Sequence, residues 1–142
     1  VTTRARRAGY TLVEILVVVF IVGLLATIVV PRIVGRTDEA RVTTAVATMK
    51  SVEQALGLYR LDNGVYPTTQ QGLEALVDRP TAPPVPAAWR KDGYLDRVPR
   101  DPWGNPYVYV LATPERYTLR SLGADGAEGG SGLDADIDSH AH

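Results

Sequence analysis

Between Leu12 and Val30 lie nineteen residues in which Glu14 is the only ionisable side chain and Thr27 the only other polar one. As a helix, that run is long enough to span the hydrocarbon of a bilayer. Arg4, Arg6 and Arg7 precede it, so the positive-inside tendency keeps the N-terminus cytoplasmic and sends the rest of the chain across the membrane. A cleaved secretory signal is the competing reading, but its apolar stretch is shorter and ends in a small-residue cut site that Leu25-Ala26-Thr27 does not supply. An inert anchor explains the length and leaves two features over. A lone carboxylate at Glu14 is costly in an apolar layer unless it is paired or near the interface. Pro31 follows the run directly and, in a continuing helix, removes one hydrogen bond and predicts a kink or local melting.

Composition narrows the function classes. The 142 residues include no cysteine, which excludes disulfide frameworks, thiolate zinc sites and cysteine nucleophiles. The two histidines, His140 and His142, lie in the last three residues, where a frayed tail is the simpler reading than a metal site or a general base. The formal net charge of −1 conceals a partition. Residues 1–36 set five arginines against Glu14 alone, whereas residues 122–142 carry five acids and no Lys or Arg. No phosphate-cradling Gly-rich/Lys motif occurs, and paired acids such as Asp92 and Asp96 read as solvated surface. The chain is expected not to be an enzyme, and nothing in it points to nucleic acid.

Gly9-Tyr10-Thr11-Leu12-Val13-Glu14, followed by the apolar helix, resembles the processing motif of type IV pilins and pseudopilins. The resemblance implies that a prepilin peptidase cuts between Gly9 and Tyr10 and methylates the new amine of Tyr10. Pro31 falls where pilins carry a helix-breaking proline. Cutting after Gly9 creates a positive amine at Tyr10, and Glu14 is then the negative group in the same layer. Opposite charges about 4 Å apart attract by about 4 kcal/mol at an effective dielectric near 20, which helps offset their desolvation. The family reading pairs Glu14 with the Tyr10 amine of a neighbouring subunit. Such a contact is heterologous, sets axial register and propagates into a helical filament.

Past Pro31 a second helical pattern runs from about Asp38 to Leu61. Val42, Ala45, Val46, Met49, Val52, Leu56 and Tyr59 place an apolar stripe on one face, most simply the core of a domain, and Asn63-Gly64 suits the helix end. Prolines punctuate residues 65–100, with one short helix expected over Gln70 to Val77 and Leu73, Leu76 and Val77 inward. Tyr107–Leu111 and Arg116–Leu122 read as strands around a turn at Ala112–Glu115. Two or three short antiparallel strands packed on a long kinked helix make an α+β domain. Asp101-Pro102-Trp103-Gly104-Asn105-Pro106-Tyr107 reads as a tight turn entering a strand. That tract is similar to a segment of the major pseudopilins of type II secretion systems, as is Asn63-Gly64-Val65-Tyr66-Pro67-Thr68-Thr69-Gln70-Gln71-Gly72-Leu73.

The acidic stretch from Leu122 to Ile137 combines glycines with carboxylates. Calcium needs six to eight oxygens, and glycines let carbonyls converge on it. The stretch is not an EF-hand, because Ser139 stands where Asp134-x-Asp136-x-Asp138 would need glycine. On composition alone a disordered acidic tail competes evenly. Similarity to the major pseudopilins favours a Ca²⁺ ion stabilising the domain. It implies the carbonyl of Leu122 and the carboxylate of Asp125 as ligands, and Asp134 or Asp136, with a carbonyl near Gly130, is the candidate to complete the set. Gly132-Leu133 stands where relatives often carry a further acid.

The expected organisation is a leader at 1–9, a transmembrane helix and filament core at 10–30, a continuing helix at 31–62, and a loop-rich β domain at 63–142. The expected architecture is type IV pilin-like: α+β, a long N-terminal transmembrane helix on a small antiparallel sheet with a C-terminal calcium loop. The resemblance implies a subunit that polymerises into the periplasmic pseudopilus of a type II secretion system and drives export of folded proteins. It implies as partners further copies of the chain, minor pseudopilins, the prepilin peptidase, the inner-membrane assembly platform, exported proteins and inner-membrane lipid. The chain would cross the inner membrane once, with its C-terminal domain in the periplasm. A type IV pilin or minor pseudopilin is the alternative, and a monomeric membrane-anchored binding module a more distant one.

Overall fold

A computed structural model describes residues 11–139, with the backbone alone for 28–36. Residues 1–10, where the leader and Tyr10 are expected, and residues 140–142, with His140 and His142, lie outside the described residues. Element order is α1 (Leu12–Asn63), a 3-10 turn (Leu73–Leu76), β1 (Val108–Thr113), β2 (Arg116–Ser121), a second 3-10 turn (Gly132–Asp134) and β3 (Ile137–Asp138). The chain divides into two compact units, Val1–Thr37 and Asp38–His142.

In the first unit the backbone is helical from Leu12 onwards, and the helix assignment continues through Pro31 rather than ending there. Its described apolar side chains are exposed on every side, from 48% at Ile21 to 82% at Leu12. A helix apolar all round is a buried or lipid-facing element. Among the described residues no helix is long and apolar enough to cross a membrane, and the run Leu12–Val30 extends into residues 28–30, whose side chains are not described.

In the second unit α1 contributes one buried stripe. Ala45, Met49, Val52, Leu56 and Tyr59 recur at spacings of three and four and pack with Ala55 into the core. Val46, expected on that stripe, is 38% exposed and lines a shallow groove with Met49, Lys50, Glu53 and Ile137. Ala55 is buried instead, on the flank of the stripe opposite Val46, so the buried face is turned toward Ala55 and away from Val46. The helix stops at Asn63. There Gly64, at φ +79°, donates its N–H to the Arg60 carbonyl at 2.7 Å, a left-handed cap that only glycine adopts without cost.

The sheet has the order β1-β2-β3, antiparallel throughout. β1 runs two residues further than the expected Leu111, so the connection shortens to Pro114-Glu115, with an irregularity between Leu111 and Thr113. Alternation buries Tyr107, Tyr109, Tyr117 and Leu119 against the helix stripe. Tyr107 Oη donates to the Ala45 carbonyl at 3.3 Å and Tyr109 Oη to the Pro67 carbonyl at 2.7 Å, so two buried hydroxyls tie sheet to helix and to the segment after it. β3 comes out of the acidic tail, pairing Ile137 with Ser121 and Asp138 with Arg120.

The loop-rich middle is closed by side chains. The short helix expected over Gln70–Val77 is the tighter 3-10 turn Leu73–Leu76, which buries Ala75 and leaves Val77 half-buried. Gln71 Nε2 donates to the Ala82 and Pro84 carbonyls, and Trp89 Nε1 to the Ala75 carbonyl. At the helix end Arg90 Nε lies 2.6 Å from Asp62 Oδ2, and Tyr94 Oη donates to the same carboxylate. The hydrogen bond from Arg90 holds the Asp62 carboxyl below its usual range.

Burial pushes the Tyr109 and Tyr117 phenols well above their usual value. The unfolded chain therefore releases these protons first as pH rises, and stability is retained below about pH 10 and lost above it. Tyr109→Phe removes one such group and one hydrogen bond. It should cost about 1 kcal/mol at neutral pH and make the alkaline loss of stability shallower, read from denaturant midpoints between neutral pH and the tyrosine range.

Candidate functional site

Two regions carry the residues singled out from sequence. Of the first, Gly9 and Tyr10 lie outside the described residues. Thr11 and Glu14 are described and bond reciprocally: the Thr11 N–H donates to Glu14 Oε2 at 2.8 Å, and the Glu14 N–H to Thr11 Oγ1 at 3.3 Å. This is a capping box, which satisfies two of the orphan N–H groups at the start of α1. The Thr-x-x-Glu spacing is the sequence signature of this cap. A carboxylate near the end of an apolar run thus has a local structural role before any partner is considered.

The second region begins where β2 ends. Ser121 is fully buried, Leu122 is half-buried, and the chain then turns outward through Asp125. It returns along Leu133–Asp136 into β3. Two backbone bonds join the limbs: Ala124 N–H to the Leu133 carbonyl at 2.9 Å and Asp136 N–H to the Gly129 carbonyl at 3.2 Å. Asp136 Oδ2 accepts the Gly129 N–H at 3.2 Å, and Asp125 Oδ1 accepts the Ala127 N–H at 3.1 Å. Approach is close enough that glycine is required. An added Cβ at Gly123 would stand 2.8 Å from the Leu133 carbonyl oxygen, and one at Gly130, at φ +84°, would collide with the Asp134 carbonyl.

Charge in this loop is met in part by Arg120 of β2, a residue the sequence reading did not single out. Its Nε lies 3.2 Å from Asp138 Oδ1 and its Nη1 3.7 Å from Asp136 Oδ2. Asp136 Oδ1 is buried without a hydrogen-bond partner. Among the described residues no group of three or more His, Cys, Asp or Glu side chains is gathered, so Asp125, Asp134 and Asp136 do not form a ready carboxylate cluster. What fits calcium is the chemistry of the donors. They are hard carboxylate and carbonyl oxygens, with one buried carboxylate oxygen, Asp136 Oδ1, left over.

Comparison with known proteins bears on both regions. The family described as type II secretion system protein G matches residues 32–140, and the prokaryotic N-terminal methylation motif matches residues 4–30. The chain belongs to the type II secretion system protein G family. It is 56% identical over 135 residues to the type II secretion system core protein G of Pseudomonas aeruginosa, covering 94% of this chain and 95% of that one. To the protein of the same name from Vibrio cholerae it is 50% identical over 134 residues, covering 93% and 90%. Its fold is similar to a crystal structure of the major pseudopilin from the type 2 secretion system of enterohaemorrhagic Escherichia coli, with TM-score 0.64 and 40% identity over 78% of this chain and 95% of that one. The long helix on a three-stranded antiparallel sheet is thus the pseudopilin architecture, and the chain is a major pseudopilin of the type II secretion system. The family is that of a structural subunit.

Proposed function

We propose that this pseudopilin is anchored in the inner membrane by residues 10–30, is cut after Gly9 and methylated at Tyr10 by a prepilin peptidase, and polymerises in the periplasm. The single observation that carries the reading is the methylation motif over residues 4–30, whose apolar helix from Leu12 has its described side chains exposed all round. Exposed apolar area of that extent needs lipid or other helices to cover it. In the filament Glu14 pairs with the Tyr10 amine of the next copy, which fixes the axial step. Minor pseudopilins, the inner-membrane assembly platform and exported proteins are its further partners. Energy for extension comes from another component, and the chain contributes surface rather than catalysis.

The same proposal places one Ca²⁺ in the C-terminal loop. The ligands are the Leu122 carbonyl, the Asp125 carboxylate, a carbonyl at Gly130, and the carboxylates of Asp134 and Asp136. An oxygen-only donor set in a glycine-rich loop supports this assignment, as does the buried Asp136 Oδ1 without a partner. Bound there, the ion would supply the positive charge that Arg120 provides only to one side of the loop.

Glutamine in place of glutamate keeps the capping box and removes the charge. Glu14→Gln should therefore leave the helix intact and abolish sedimentable filaments when the secretion operon is expressed. Wild-type filament yield from Glu14→Gln, with loss in Glu14→Ala, would show that assembly needs the cap and not the charge. For the loop, the melting temperature should rise in calcium relative to chelator, and Asp125→Ala should erase that rise. Identical melting in both conditions would argue against the ion.

A further inference from the structure

The turn Asp101–Asn105 lies outside the acidic loop in sequence and is bonded to it in space. Asp101 is 5% exposed and fully engaged. Its Oδ1 accepts the N–H groups of Trp103 and Asn105 at 3.1 and 2.7 Å, and its Oδ2 accepts the buried Ser121 hydroxyl at 2.7 Å. Ser121 Oγ in turn accepts the Gly123 N–H at 3.3 Å. The turn is closed by the Asp101 N–H donating to the Asn105 carbonyl at 2.9 Å and by pairing of Arg100 with Pro106. It thereby presents the Asn105 carboxamide as a fixed group. Asn105 Nδ2 donates to the Gly123 carbonyl at 2.9 Å. Gly126 lies flat on that carboxamide, so that an added Cβ would stand 3.1 Å from its Cγ, Nδ2 and Oδ1.

We propose that Asn105 is the positioning residue of the calcium loop. It holds the limb Leu122–Gly126 to the folded domain through Gly123, and with it the two oxygens assigned as ligands in that limb, the Leu122 carbonyl and the Asp125 carboxylate. This deepens the calcium reading above and rests on it. The physical argument concerns preorganisation. A cation whose ligands come from a glycine-rich loop must meet the entropy of ordering that loop, and a limb already held by a rigid turn lowers that cost. Asp101 and Ser121 act one step further back, because they hold Asn105 and Gly123 in register. Groups that orient ligands without touching the ion commonly change metal affinity by one to two orders of magnitude.

The test uses the full chain in detergent, with calcium titrated by calorimetry and melting recorded in calcium and in chelator. Asn105→Ala should weaken calcium binding by about tenfold and shrink the calcium-induced rise in melting temperature, while melting in chelator moves much less. A merely structural role would lower both melting temperatures together and leave the calcium increment intact. Gly126→Ala, which presses on the carboxamide, and Asn105→Leu, which keeps the branched shape and loses the donor without adding charge, should show the same selective loss and stand in if the alanine variant folds poorly. Wild-type calcium affinity in all three variants would overturn the positioning role alone. A wild-type chain that shows no heat of binding and no change in melting would overturn the calcium reading and this proposal with it.

Discussion

Everything in the second unit depends on one packed contact, the stripe Met49, Val52, Leu56 and Tyr59 of α1 against Tyr109, Tyr117 and Leu119 of the sheet. A three-stranded sheet with one two-residue strand has too little area to bury its own face. The helix supplies the missing layer, and the buried hydroxyls of Tyr107 and Tyr109 fix where the sheet sits along it. The same helix begins with residues that have no core to enter. From Leu12 to Leu25 its large apolar side chains are exposed. One element therefore carries both the domain's core and a surface that needs a partner, which is the physical requirement of a subunit built to polymerise.

The acidic loop depends on that contact indirectly. β2 is held by the core through Tyr117 and Leu119, and from its outward and terminal residues come Arg120 and Ser121. Arg120 reaches Asp136 and Asp138, while Ser121 is locked to Asp101. A loop with five acids and no base of its own is thus tied to the domain by one arginine and by a turn that comes from before β1. Glycine at positions 123 and 130 allows its limbs to approach as closely as they do.

Much of this was legible in the residues, and what was not has identifiable causes. Helix spacing located the core stripe because burial repeats every three to four residues, yet it included Val46 and passed over Ala55. Periodicity gives the centre of a face better than its edges, and a small side chain carries a weak signal. β3 was obscured because Asp134-Ala135-Asp136-Ile137-Asp138 reads as an acidic tail. Its pairing is supplied by Ser121 and Arg120 on a distant strand, information no local pattern contains. The tight turn at Asp101–Asn105 was evident from its Pro, Gly and Asn, whereas its grip on Gly123 was not, since that bond crosses eighteen residues. The capping box of Thr11 and Glu14 is a local pattern, Thr-x-x-Glu at the start of an apolar helix, that the pairing of Glu14 with an amine does not require.

The central claim is that this chain is a processed, polymerising subunit, and the chemistry at Tyr10 decides it. The most direct measurement is the N-terminal mass of the protein isolated from its native membrane, in cells with and without the prepilin peptidase. The account predicts a chain beginning at Tyr10 and bearing one added methyl when the peptidase is present, and an uncut, unmethylated chain when it is absent. An N-terminus that is the same in both strains would contradict it and leave the charge on Glu14 without a partner.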